Sequence, residues 1–110
     1  MAKYLWRGSY TELGLKGLRE DGGSRRRESV SKLAESLGGK LEAFYFAFGE
    51  DDLYLIYEMP DNVSATAGAL IVGAPGAVRG ATIPLVTPEE VDEAVKRIGE
   101  YRPPGGGTQG

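Results

Sequence analysis

The side chains best suited to chemistry in this sequence are polar and aromatic residues that strand alternation brings to one face of a predicted sheet. They are Arg7 and Ser9 on the first predicted strand, and Tyr45, Tyr54 and Glu58 on a hairpin. A partly buried Arg–Glu pair would orient a small polar ligand, and phenol groups would supply hydrogen bonds and flat apolar walls. We therefore predict a small-molecule pocket with an Arg7–Glu58 pair at its centre. The alternative is an ion pair and aromatic packing between subunits.

Two other groups of charged residues carry weaker predictions. Lys16 and Arg26, together with Thr11 and Arg19, lie near the start of a predicted helix and would surround an anion there. The sequence has no phosphate-loop pattern, and the alternative is that Arg26 belongs to a solvated charge run. The adjacent acids Glu50–Asp52 lack the spacing of a dedicated cation site, so they predict a solvated turn and no metal site.

Composition limits the chemistry that is available to the chain. Its 110 residues contain no cysteine and no histidine. Thiol nucleophiles, disulfides, Ser-His-Asp triads and imidazole acid–base catalysis are therefore excluded. The formal net charge of -3 supplies no basic field for nucleic acid, so we predict no nucleic-acid partner. Nothing in the sequence indicates a cofactor.

The length predicts one domain over residues 1–100, followed by a flexible Pro/Gly-rich tail over residues 101–110. The N-terminus lacks the apolar core of a signal peptide. No apolar run approaches the roughly 18 residues of a membrane span. We therefore expect a cytoplasmic protein without a membrane partner.

Three helices are predicted, and each has a recognisable start. Ser24 would cap the first helix, Asp61 the second, and Thr87 the third, where Glu90 completes a capping box. Apolar stripes predict the buried faces of the first and third helices: Val30, Leu33, Ala34 and Leu37 on the first, and Val91, Ala94, Val95 and Ile98 on the third. The glycine-rich segment 11–23 predicts a loop with about one helical turn.

The stretch FYFAFGEDDLYLIYE, residues 44–58, predicts a hairpin with Glu50 and Asp51 as a two-residue turn. In that register one face is a helix-covered core, formed by the pairs Phe48–Leu53, Phe46–Leu55 and Phe44–Tyr57. The other face carries Ala43, Tyr45, Ala47, Tyr54, Ile56 and Glu58. This second face is too apolar to be fully exposed and too polar to be an ordinary core.

The order of elements is β-α-β-β-α-β-α, which predicts a ferredoxin-like α+β fold with a four-stranded antiparallel sheet and an extra C-terminal helix. Pro84 in the last strand favours an edge position. The helices cover one sheet face, so the face with Tyr45, Tyr54 and Ile56 would be an exposed apolar patch in a monomer. We therefore expect a homodimer or higher homo-oligomer.

Four short motifs resemble the GYD domain family: YTELGLKGL, SLGGKLEAFYFAFGEDD, YEMPD and LVTPEEVDEAV. The family's Gly-x-Tyr-Asp motif corresponds to Gly49–Asp52, where Asp51 replaces the tyrosine. The resemblance implies a dimeric α/β-barrel type assembly and self-association. Two functions remain: a homo-oligomeric protein that binds a small molecule beside the sheet, or a cofactor-independent enzyme that resembles oxygenases or isomerases. Without histidine, a general base near neutral pH would require a tuned Glu58 or tyrosine.

Overall fold

The computed structural model describes residues 1–106 and shows a four-stranded antiparallel sheet. Its elements are β1 (Ala2–Tyr10), α1 (Glu12–Asp21), α2 (Gly23–Ser36), β2 (Lys40–Phe46), β3 (Leu53–Met59), α3 (Asn62–Gly73), β4 (Val78–Leu85), α4 (Pro88–Ala94) and a short 3-10 turn, Pro104–Gly106. The strand order is β2-β3-β1-β4, so the predicted ferredoxin-like fold is confirmed. The predicted flexible tail lies partly outside the described residues.

The hydrophobic core lies between the sheet and the helices. Strands β1 and β3 supply most of it, and the helices contribute small residues that let their backbones approach the sheet; the buried set is Tyr4, Trp6, Leu53, Leu55, Tyr57, Met59 and Val78 with Ala34 and Ala65. The Tyr4 ring stacks on Tyr57 at 5.5 Å, and its phenol donates to Asn62 Oδ1 at 2.6 Å. The buried strand residues therefore form one face of the sheet.

The predicted loop over residues 11–23 is wrong, because most of it forms α1. The Thr11 side chain caps this helix by accepting the backbone N–H of Gly14 at 3.3 Å. A Cβ at Gly14 would overlap the carbonyl oxygen of Ala77, so this glycine allows close packing rather than breaking the helix. Ser24 is not an N-cap, since α2 begins at Gly23 after Gly22, whose φ is +78°.

The predicted hairpin register is wrong by two residues. Phe46, not Phe48, lies opposite Leu53, and strand β2 ends at Phe46. Residues 47–52 form a loop that is closed by a hydrogen bond from the Ala47 N–H to the Asp52 carbonyl at 2.7 Å. Phe48 is therefore fully exposed rather than part of the core.

Contacts with β1 explain why this loop is longer than a two-residue turn. The Asp52 N–H donates to the Gly8 carbonyl at 2.8 Å, and the Ser9 hydroxyl donates to the Glu50 carbonyl at 3.1 Å. The Asp52 carboxylate accepts the Tyr10 N–H at 3.1 Å. These bonds join the loop to the end of β1, so its conformation depends on a strand more than 40 residues away along the chain.

Helix α4 has the predicted capping box but not the predicted buried face. Thr87 and Glu90 exchange hydrogen bonds at 2.9 and 3.0 Å. Every residue of α4 is nevertheless exposed, and Val91 and Val95 contact no core. The radius of gyration, 18.0 Å, exceeds the roughly 13 Å of a compact domain of about 100 residues, which agrees with a C-terminal segment that extends from the domain.

None of the helices in residues 1–106 is both long and apolar enough to cross a membrane.

Candidate functional site

The sheet face opposite the helices carries the residues of the predicted pocket in parallel rows. Tyr45, Tyr54 and Arg7 are successive cross-strand neighbours on β2, β3 and β1. The next row is apolar and contains Ala43, Ile56, Leu5 and Ile83. Tyr45 is 70% exposed and Tyr54 38% exposed, so this surface is open in the single chain.

The predicted Arg7–Glu58 pair is wrong, because the register separates the two residues. Arg7 lies opposite Tyr54, whereas Glu58 lies opposite Lys3, four positions or about 13 Å further along the strand. Arg7 Nη1 instead lies 2.8 Å from Asp51 Oδ2, and this hydrogen bond raises the pKa of Arg7. Glu58 Oε1 lies 3.9 Å from Lys3 Nζ. The polar centre proposed for the pocket is therefore divided between two separate ion pairs.

A cavity lies on the other face of the sheet, between the strands and helices α2 and α3. Its volume is about 60 Å³, and its walls are almost entirely apolar. Trp6 and Leu55 form part of its floor, Val30 and Leu33 line it from α2, and Ala69 lines it from α3. The space exists because α3 presents small side chains toward the large residues of the sheet.

A wider cleft of about 360 Å³ adjoins this cavity and lies between α1, α2 and α3. The two spaces share Tyr10 and Arg26 as well as the apolar residues Val30, Leu33 and Val72. Tyr10 and Arg26 are both half-buried. Tyr10 and Arg26 are therefore the polar residues that line both spaces.

The two phenols beside the cavity have pKa values above that of an exposed tyrosine. Burial raises the pKa of Tyr10, and the nearby Arg26 guanidinium opposes this shift only in part. Burial likewise raises the pKa of Tyr57, against the effect of its hydrogen bond with Thr82. At neutral pH both phenols are protonated, so each can donate a hydrogen bond.

A protein-family model matches the part of the chain that forms the cavity and most of the sheet. The sequence model of the GYD domain matches residues 4–95. The chain belongs to the GYD domain family. A comparison with curated proteins found no match. The resemblance seen in the four sequence motifs is therefore confirmed, and the cavity and the cleft both lie inside the matched GYD domain.

The residues that were predicted to surround an anion in this GYD domain belong to α1, its N-cap and α2. Lys16 lies on the exposed side of α1, 3.9 Å from Glu12, and Thr11 caps the same helix. Arg26 alone of the four lines the cavity. In the part of the chain that the structure describes, no cluster of acidic residues is arranged to hold a metal ion.

Sequence reasoning missed the cavity and most of the residues around it. Tyr10 and Trp6 are not among the residues of the predicted pocket. The available signal was in α3, where Ala65, Gly68 and Ala69 are small at positions that face the sheet.

Proposed function

We propose that this GYD-domain protein is a homo-oligomer that binds a small, mainly apolar molecule in the cavity between its sheet and helices. The observation that carries the proposal is the apolar cavity beside Trp6, which shares Tyr10 and Arg26 with the adjoining cleft. The volume of the cleft lies within the range of roughly 300–1,000 Å³ that is typical of ligand pockets. The predicted pocket is thus reassigned to the helix-covered face.

An apolar space of this kind needs an explanation, because protein interiors contain few voids larger than a water molecule. Wall atoms that face a void lose dispersion contacts, and a larger residue at Ala69 would restore them. An apolar ligand would restore the same contacts while bound. The cavity is therefore better suited to an exchangeable occupant than to permanent packing.

Binding is favoured over catalysis by the groups that line the cavity. The lining residues that carry polar groups are Arg26, Tyr10, Tyr57 and Trp6. Phenols are protonated at neutral pH, and burial raises the pKa of Tyr10 and Tyr57 further, so both act as donors rather than bases there. An arginine remains charged throughout this range. These groups orient a ligand but supply no general base near neutral pH.

The single tryptophan makes the proposal directly testable, since Trp6 lines the cavity. We expect octan-1-ol to change Trp6 fluorescence saturably in the unmodified protein. Ala69→Phe should fill the cavity and abolish this change, whereas Leu70→Phe, on the exposed side of α3, should retain it. Circular dichroism checks that both variants are folded. No saturable change in the unmodified protein, or the same response in Ala69→Phe, would contradict the proposal.

Self-association is supported by the open sheet face. Leu5, Ile56 and Ile83 form an apolar row that no helix covers within the described chain. Packing this face against a second copy would remove the row from water. Ile56→Glu would place an unpaired charge there, at a cost of several kcal/mol, and should yield monomers. Val63→Glu, on the exposed surface of α3, is the matched control and should not change assembly.

Light scattering at micromolar concentration measures this assembly. The unmodified protein and Val63→Glu should both have at least twice the monomer mass, and Ile56→Glu should approach the monomer mass. A monomeric unmodified protein would refute self-association. Unchanged assembly of Ile56→Glu would show that another surface forms the contact.

A further inference from the structure

We propose that the ligand carries a carboxylate, which Arg26 and Tyr10 bind at the junction of the cavity and the cleft. This inference rests on the proposed function, because it assigns a chemical class to the molecule in that cavity. The carboxylate would remain at the mouth, and a short apolar body would extend along Val30 and Leu33 toward Trp6. The ligand class is therefore a small amphipathic monocarboxylate.

The first argument is the charge of Arg26 in apolar surroundings. Its side chain is half-buried and contacts the walls of both spaces. Among the described residues it forms no salt bridge, in contrast to Arg7, which pairs with Asp51. Asp21 is the one acid that lines the described cleft; it is exposed and does not lie within salt-bridge distance of Arg26. A partly desolvated cation of this kind is stabilised by an opposite charge.

The second argument is the geometry of the donors. A guanidinium offers parallel N–H groups that match the two oxygens of a carboxylate. The neutral phenol of Tyr10 adds one O–H donor beside it. One positive charge with one additional donor fits a single carboxylate better than a phosphate dianion, which carries more charge and more acceptor oxygens.

The third argument is the change in polarity along the site. The cleft has one fixed positive charge at its junction with the cavity, and the interior beyond it is lined by Leu33, Leu55 and Val72. A ligand that is charged along its length would lose hydration inside without gaining partners. A molecule with one charged end avoids this cost, because its apolar part alone enters the cavity.

The test compares n-alkanoates of four to ten carbons with n-alkanols of the same lengths, all below micelle formation, by Trp6 fluorescence and calorimetry. Arg26→Met keeps an apolar stem and removes the charge. Arg25→Met, at an exposed neighbouring position of α2, is the matched control. We expect Arg26→Met to weaken alkanoate binding about tenfold or more, as expected for a charged hydrogen bond, and to leave alkanol binding unchanged. Tyr10→Phe should weaken alkanoate binding by a smaller factor.

The outcomes distinguish failure of the carboxylate assignment from failure of the proposed function. Equal affinities for alkanoates and alkanols, or equal effects of Arg26→Met and Arg25→Met, would overturn the carboxylate assignment and leave cavity binding intact. Failure of every probe to bind would overturn the proposed function, and this inference with it. Preferential alkanoate binding that depends on Arg26 supports both.

Discussion

The indole ring of Trp6 lies over two glycines, Gly8 and Gly80, which face each other across β1 and β4. A methyl group at Gly80 would lie 2.6 Å from Trp6 Cε2 and 2.5 Å from the Arg7 carbonyl oxygen. The φ angle of Gly80 is not in the left-handed region, so alanine has no intrinsic backbone penalty there. We therefore expect Gly80→Ala to act through steric overlap alone.

The size of the effect follows from the displacement that the methyl group requires. Trp6 Cζ2 would lie closer still, so to reach ordinary contact at 3.4 Å the ring must move by roughly 1.1 Å, and backbone atoms must move as well. Overpacking of this kind costs about 1–3 kcal/mol, and the lower entropy of the unfolded alanine chain offsets about 0.4–1 kcal/mol. We expect a net loss of about 1–2 kcal/mol and a Tm lower by at least about 4 °C.

Gly17→Ala is the matched control, because nothing lies within 4 Å of the added methyl group. It replaces a glycine in the interior of α1 and should raise stability by about 0.5–1 kcal/mol. Denaturant melts that follow Trp6 fluorescence and circular dichroism at one fixed protein concentration measure both variants. Equal stabilities of Gly80→Ala and the unmodified protein would show that Trp6 does not rest on this glycine, and that the cavity beside it has a different floor.

Further predictions concern residues outside the cavity. Arg7→Met and Asp51→Asn should each cost under about 1 kcal/mol, because water reaches the pair at the Arg7 side chain, which is 45% exposed. The two changes should show coupling in a double-mutant cycle, whereas Arg7→Met and Glu58→Gln should be additive. Coupling of Arg7 to Glu58 would contradict the register. Thr87→Ala should melt α4 and so reduce the helical signal in far-ultraviolet circular dichroism. The denaturation midpoint should not change, because α4 is exposed; a lower midpoint would indicate that α4 packs on the domain. A hydrogen bond from the Ser64 N–H lowers the pKa of Asp61 in the folded protein. The stabilisation that this bond gives to the folded state is therefore complete above about pH 4, and it is lost as the pH falls through the lowered pKa of Asp61. Asp61→Asn should reduce this acid dependence, and an unchanged pH profile would refute the assignment.

Local signals were sufficient to predict the topology of the fold. The caps at Asp61 and Thr87 depend on residues three positions later, so the sequence contains both partners within one turn. The hairpin register could not be predicted in the same way. It depends on the bond from Asp52 to Gly8 and on the Arg7–Asp51 pair, both of which join distant parts of the chain. A two-residue turn was the best local solution, and tertiary contacts favoured a longer loop.

The same distinction applies to the site. Strand alternation correctly predicted that Tyr45, Tyr54 and Arg7 share one face of the sheet. The face on which a side chain lies depends only on the two-residue repeat of a strand. The cavity depends on how closely α3 approaches the sheet, and Gly68 and Ala69 permit either tight packing or open space. Sequence alone does not distinguish tight packing from open space, because the distance between α3 and the sheet is set by the sum of all helix–sheet contacts.

Methyl nuclear magnetic resonance during a titration with n-octanoate tests the central claim most directly, because it distinguishes the two faces of the sheet. Val30, Leu33 and Val72 line the cavity, whereas Ile56 and Ile83 lie on the opposite face. We predict saturable shift changes at the first three residues and none at the isoleucines. Changes confined to Ile56 and Ile83, or no saturable change at any of the five, would contradict ligand binding between the sheet and the helices.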